Sequence, residues 1–137
     1  MRHLAVDVGD KRIGVALSDP MGMVATPLEV YNCIGAKKDV QYIAALANKH
    51  QVGTVVVGLP KNMNGTEGER AKLCRQFADK LARRTNAEIV MHDERLTTVG
   101  AESVLISADV SRKKRKKVID KLAAQLILQN YLDFKNR

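Results

Sequence analysis

Leu4-Ala5-Val6-Asp7-Val8-Gly9-Asp10-Lys11-Arg12-Ile13-Gly14-Val15-Ala16 decides how the chain folds. An apolar run, a tight polar turn and a second apolar run read as a β-hairpin, His3 to Val8 and Ile13 to Leu17. Asp7 lies inside the first strand, not in the turn. A carboxylate among hydrophobes costs several kcal/mol unless it is paired or holds a metal, on the order of what a buried charge loses in hydration. Gly9 and Gly14 would let backbone approach a substrate. Lys11 and Arg12 would set phosphate-binding cations beside the acid. The plainer alternative is a hairpin whose Asp7 pairs with Arg12.

Working outward, Val24 to Val30 reads as a third strand, and Pro27 places it at an edge or at a bulge. Lys38 to His50 is an amphipathic helix with Val40, Ile43, Ala44 and Ala47 on one face and Asp39 near its positive end. Thr54 to Val57 is β-branched and reads as a buried central strand. Gly58 to Gly68 is a polar loop that either touches substrate or only connects. Glu69 to Arg83 is a second helix and Glu88 to Met91 a fifth strand. Thr97 or Thr98 caps a third helix running to about Ala108, and Lys116 to Phe134 is the last. Three strands followed by helix–strand–helix–strand–helix–helix give an α/β fold. It has a mixed five-stranded sheet, a three-strand antiparallel meander plus two parallel strands, with helices packed on it. The expectation is one domain over residues 1–137.

Two more acids share the oddity of Asp7. Glu94 follows the apolar segment Ile89-Val90-Met91-His92. Asp120 lies on the mostly apolar stretch Val118 to Leu132; at about 100° per residue it projects beside Tyr131, away from Lys121 and Gln125. If the first and fifth strands flank the fourth, the three acids meet at one sheet edge. Three converging carboxylates suit a hard divalent cation such as Mg²⁺ or Mn²⁺, and nothing suggests zinc. For Asp93 and Glu94 alone, ordinary helix N-terminal charge is the simpler reading. His92 reads as structural or solvent-facing.

Charge identifies the partner class. The chain carries 23 Lys+Arg against 15 Asp+Glu, a formal net charge of +8. Arg112, Lys113, Lys114, Arg115, Lys116 and Lys117 form an unbroken basic run that leads into Asp120. Such a run is commonly a solvated face; here a phosphate backbone would neutralise it and make binding salt-dependent. Arg95, beside Glu94, suits a phosphate. No apolar run approaches the ~20 residues of a membrane span, and the opening Met1-Arg2-His3-Leu4 enters a strand without a leader-like segment. The expected setting is cytoplasmic, with Cys33 and Cys74 as reduced thiols and no membrane partner. Three Tyr, two Phe and no Trp offer no stacking platform, so backbone and shape recognition is expected over base reading.

Four ordered segments resemble the YqgF family, also called the RuvX type, of Holliday-junction-resolvase-like proteins. They are Asp7-x-Gly9-x-Lys11-Arg12-Ile13-Gly14-Val15-Ala16, Gly58-Leu59-Pro60-x-Asn62-Met63-x-Gly65, Asp93-Glu94-Arg95-Leu96-Thr97-Thr98 and Asp120-x-x-Ala123-Ala124. The resemblance spans essentially the whole chain. It implies an RNase H-like fold and a nuclease whose metal-binding, catalytic acids are Asp7, Glu94 and Asp120, using one or two Mg²⁺ or Mn²⁺ ions. It also implies maturation of the 5′ end of precursor small-subunit ribosomal RNA, with resolution of DNA junctions as the alternative. Asp10 departs from the small polar residue the family commonly has there. Two other readings stand beside it. One is a nucleic-acid-binding module that no longer cuts, which gains nothing from buried acids. The other is an actin-like ATPase or sugar kinase, for which the chain is too short to form two lobes. A monomer would suit end trimming and a homodimer a junction resolvase; the sequence leaves both open.

Overall fold

A computed structural model describes residues 1–94 and 112–136; within 112–121 it describes the backbone alone. The elements are β1 (His3–Val8), β2 (Arg12–Ser18), β3 (Ala25–Asn32), α1 (Ala36–Lys49), β4 (Thr54–Leu59), α2 (Glu69–Ala82), β5 (Glu88–Asp93) and α3 (Arg112–Lys135). The helix expected from Thr97 or Thr98 to Ala108 lies outside the described residues.

The sheet order is β3-β2-β1-β4-β5. β1, β2 and β3 form the antiparallel meander, while β4 is parallel to both β1 and β5. Parallel neighbours need crossovers: α1 carries the chain from β3 to β4, and α2 from β4 to β5. The first and fifth strands therefore flank the fourth, as the convergence of the acids requires. β3 is an edge strand. Its pairing with β2 slips where Val15 faces Glu29 and Ala16 faces Pro27, leaving Leu28 as the extra residue. Pro27, with no N–H to donate, thus sits on an edge and beside a bulge.

Alternation along the strands sorts side chains between two layers. Leu4, Val6, Ile13, Val15, Val55 and Val57 point to α1 and α2, where they pack on Val40, Ile43, Phe77 and Leu81. Ala5, Ala16, Ala25 and Val56 point the other way and pack on Ala124, Ile127, Leu128 and Leu132 of α3. Fully burying one Leu, Ile or Val stabilises by about 1.5–3 kcal/mol, so the first layer holds most of the hydrophobic energy. On the strand side the second is built of small side chains, which let Ile127, Leu128 and Leu132 of α3 lie close to the sheet. Polar contacts set the position of α3 along the sheet. The Gln125 side-chain amide donates to the Ala25 carbonyl at 3.2 Å. Gln129 accepts from the Ala25 N–H at 2.9 Å and donates to the Met23 carbonyl at 3.0 Å.

β4 runs two residues beyond the Val57 expected from the sequence. Gly58 is a poor strand former, but the ladder continues through Gly58–His92 and Leu59–Asp93. Tertiary pairing overrides local propensity here. α1 and α3 start earlier than expected. For α1 the reason is visible: its N-cap is Gly35, which has no side chain to mark the start with a capping bond. Among the described residues no helix is long and apolar enough to cross a membrane.

Candidate active site

Asp7 projects from the β1 face that Ala5 shares, toward α3. Its antiparallel partner on β2 is Gly14. On its other side Val6 pairs with Val57, which brings Asp7 level with Gly58 of β4. Both lateral neighbours of the carboxylate are glycines, so neither adjacent strand places a side chain of its own beside it. Gly58 in turn pairs with His92 on β5. His92 Nε2 lies 2.8 Å from Asn130 Oδ1 and its ring meets Tyr131 edge-on, a structural role between β5 and α3.

Glu94 leaves the end of β5, its N–H donating to the Leu59 carbonyl at 3.2 Å. Its carboxyl turns back over Gly58. A Cβ added to Gly58 would collide with Glu94 Oε2 and would stand 2.8 Å from Ile127 Cδ1 of α3. Glycine at 58 is therefore required by the close approach of an acid and a helix. The Glu94 carboxyl is hydrogen-bonded to that of Asp7. Burial, first, and then the Asp7 charge and that bond push the Glu94 carboxyl up to about 8, while Arg70 pulls it down. Two carboxylates brought together away from water need either a shared proton or a cation.

The arrangement unites two of the three expected acids. Asp120 lies on α3, and its side chain is outside the described residues. Among the described residues no three His, Cys, Asp or Glu side chains form a metal-holding group. Lys11 lies exposed in the β1–β2 turn and Arg12 opens β2, both at the same end of the sheet. Arg95 and the side chains of Arg112 to Lys117 fall outside the described residues.

Sequence reading missed Arg70, in the first turn of α2. Its guanidinium donates to the Val8 carbonyl at 3.1 Å and lies 3.6 Å from the Asp10 carboxylate. It is the cation nearest in effect to Glu94. Its position depends on how the Gly58–Gly68 segment returns to the sheet edge, which no local pattern reveals. Asp10, the departure from the family pattern, thus serves as a partner of Arg70. Both thiols are reduced. Burial pushes Cys74 up to about 11, and the Glu94 charge adds to this. Burial and then Asp39 push Cys33 up to about 11. Neither is a reactive thiolate.

This sheet order, with helices on both faces and carboxyls at the ends of β1 and β5, defines an RNase H-like fold of the resolvase kind. The chain superposes on the Fowlpox virus resolvase in complex with Holliday junction DNA with a TM-score of 0.64 at 14% identity, covering 100% of both chains. It superposes on Thermus thermophilus RuvC in complex with its Holliday junction substrate with a TM-score of 0.55 at 15% identity, covering 99% of this chain and 96% of the other. These likenesses concern the fold. The family model described as "RuvX: Holliday junction resolvase" matches residues 1–134. A protein of Carboxydothermus hydrogenoformans named "Putative pre-16S rRNA nuclease" is 53% identical over 137 residues, covering 100% of this chain and 99% of its own length. The chain belongs to the RuvX family, a family of nucleases, and its activity is hydrolysis of phosphodiester bonds in nucleic acid.

Proposed function

We propose that Asp7, Glu94 and Asp120 form a divalent-metal site that trims the 5′ end of precursor 16S ribosomal RNA in the cytoplasm, within a single-domain enzyme. The carrying observation is the meeting of the Asp7 and Glu94 carboxyls beside Gly58, a contact that holds Glu94 toward its protonated form. Oxygen donors of this kind fit Mg²⁺ or Mn²⁺, which would take the place of that proton. When bound, such an ion supplies positive charge for the reacting phosphate and a more acidic water. The chain's own residues do the rest. Gly58 lets the Glu94 carboxyl come up to Asp7, and Gly14 adds no side chain of its own on the other side. Lys11, Arg12 and Arg70 hold phosphates at the same edge, and Arg95 with Arg112 to Lys117 would extend that grip. The ribosomal RNA assignment rests on the names of the relatives. Resolution of DNA junctions is the second reading, supported by the family description and by the junction-bound proteins that share the fold.

The test pairs a labelled precursor ribosomal RNA fragment with a four-way DNA junction, each with Mg²⁺, Mn²⁺ or chelator. Asp7→Asn is expected to lower cleavage by about 10³-fold or more while binding stays within about twofold, the pattern of a group used only in the transition state. Metal-dependent RNA cleavage supports trimming. Paired symmetric cuts in the junction support a resolvase. Binding without cleavage of either rejects the nuclease reading on these substrates.

A further inference from the structure

We infer that the groove between α1 and α2, on the sheet face opposite α3, is a second track for the phosphate backbone of the substrate's flank. Lys37 on α1 and Lys80, Arg83 and Arg84 on and just after α2 line an open concavity of about 490 Å³ whose floor is Ala36 and Val40. Among the described residues no carboxylate lines it. All four cations are exposed, and among the described residues none has an ion-pair partner within 4.0 Å. Lys80, Arg83 and Arg84 have an internal rationale, because cations suit the negative end of α2. Lys37 has none. It sits in the first turn of α1, at the positive end of that helix, where a cation is disfavoured. Four like charges around one concavity, one of them placed against its helix dipole, suit an external polyanion.

The groove leads to the catalytic edge. An adjoining cavity of about 430 Å³ shares Ala36, Val40 and Lys80 with it and reaches Gly9 and Asp10, in the turn that follows Asp7. The acids in that inner part are already engaged. Asp39 accepts from the Ile34 N–H and the Tyr31 hydroxyl, both at 2.9 Å, and Asp10 pairs with Arg70. The positive charge of the outer groove is therefore left for a ligand. A strand leaving the cut near Asp7 could pass the β1–β2 turn and continue between the two helices. This track is separate from the basic run at the start of α3.

The proposal rests on the nuclease reading for its ligand, and the experiment separates the two. Binding and cleavage are measured on a long precursor ribosomal RNA fragment with both flanks and on a short one trimmed close to the cut. The proteins are wild type, K37Q/K80Q/R83Q/R84Q and Lys37→Glu. The quadruple variant should bind the long fragment about tenfold or more weakly. Its salt dependence should be flatter by roughly one unit of slope for each phosphate the groove no longer neutralises, two to four in all. Short-fragment binding and cleavage should be unchanged. Lys37→Glu should melt no lower than wild type, because the new charge suits the helix dipole, and should still weaken long-fragment binding. Equal affinity and slope on the long fragment, or equal weakening on both fragments, would overturn the track. Failure of wild type to cut either fragment would instead overturn the nuclease reading, with the binding comparison still deciding the groove.

Discussion

The two faces of the sheet are built from alternate residues of the same strands and do opposite work. On β1, Leu4 and Val6 go to the α1/α2 side, and Ala5 and Asp7 to the α3 side. On β4, Val55 and Val57 go one way, Val56 and Gly58 the other. Large side chains make the first face the stabilising core. Small ones make the second face thin, so that Ile127 of α3 reaches Gly58 and two carboxyls meet beside it. One face holds the protein folded; the other tolerates an arrangement that costs stability. A charge pair held for function at the expense of folding is a common trade.

The largest stability effect should come from the core face. Leu81→Ala, at a site with no exposure, is expected to cost about 2–5 kcal/mol by chemical denaturation. Cleavage per folded molecule, measured well below the melting temperature, should stay near wild type. A matching drop in activity would break the division between the faces. Gly58→Ala attacks the thin face. Its Cβ forces Glu94 or Ile127 to move, for about 1–3 kcal/mol of overpacking. Here activity should fall far more than stability, by about tenfold or more at a temperature where the variant is folded.

The smallest expected effect has the opposite sign. In chelator, Glu94→Gln should stabilise the protein at pH 8 by about 0.5–2 kcal/mol. The folded Glu94 is raised to about 8, above the ordinary glutamate value, so the folded state binds a proton that the unfolded chain releases. Stability from that proton is fully present below about pH 4 and is lost as pH climbs through about 8. The wild-type melting temperature should therefore fall over that window more than that of Glu94→Gln, and the two should converge near pH 4.

Much of this division is legible in the sequence. β1 can be read to the residue because its apolar run is bounded by a Gly-Asp turn, and Asp7 stands out as an acid within it. The meander and the crossovers follow from strand spacing, and Pro27 marks an edge and a bulge. What is hidden depends on contacts between elements. β4 passes through Gly58 because β5 pairs with it. α1 begins at Ala36 without a capping side chain, because Asp39 folds back onto Ile34 and Tyr31 instead. Arg70 comes to the end of β1, on the Val8 carbonyl and Asp10, only through the path of the loop before it. The contact between Asp7 and Glu94 joins two residues 87 positions apart, a distance across which no spacing rule operates.

The most direct test is single-turnover cleavage of the labelled precursor ribosomal RNA fragment in Mg²⁺ by wild type and Glu94→Gln, with binding measured alongside. A fall of about 10³-fold or more in the cleavage rate, with affinity within about twofold, is the predicted result. Cleavage by Glu94→Gln at the wild-type rate would contradict the assignment of the thin face as the catalytic one.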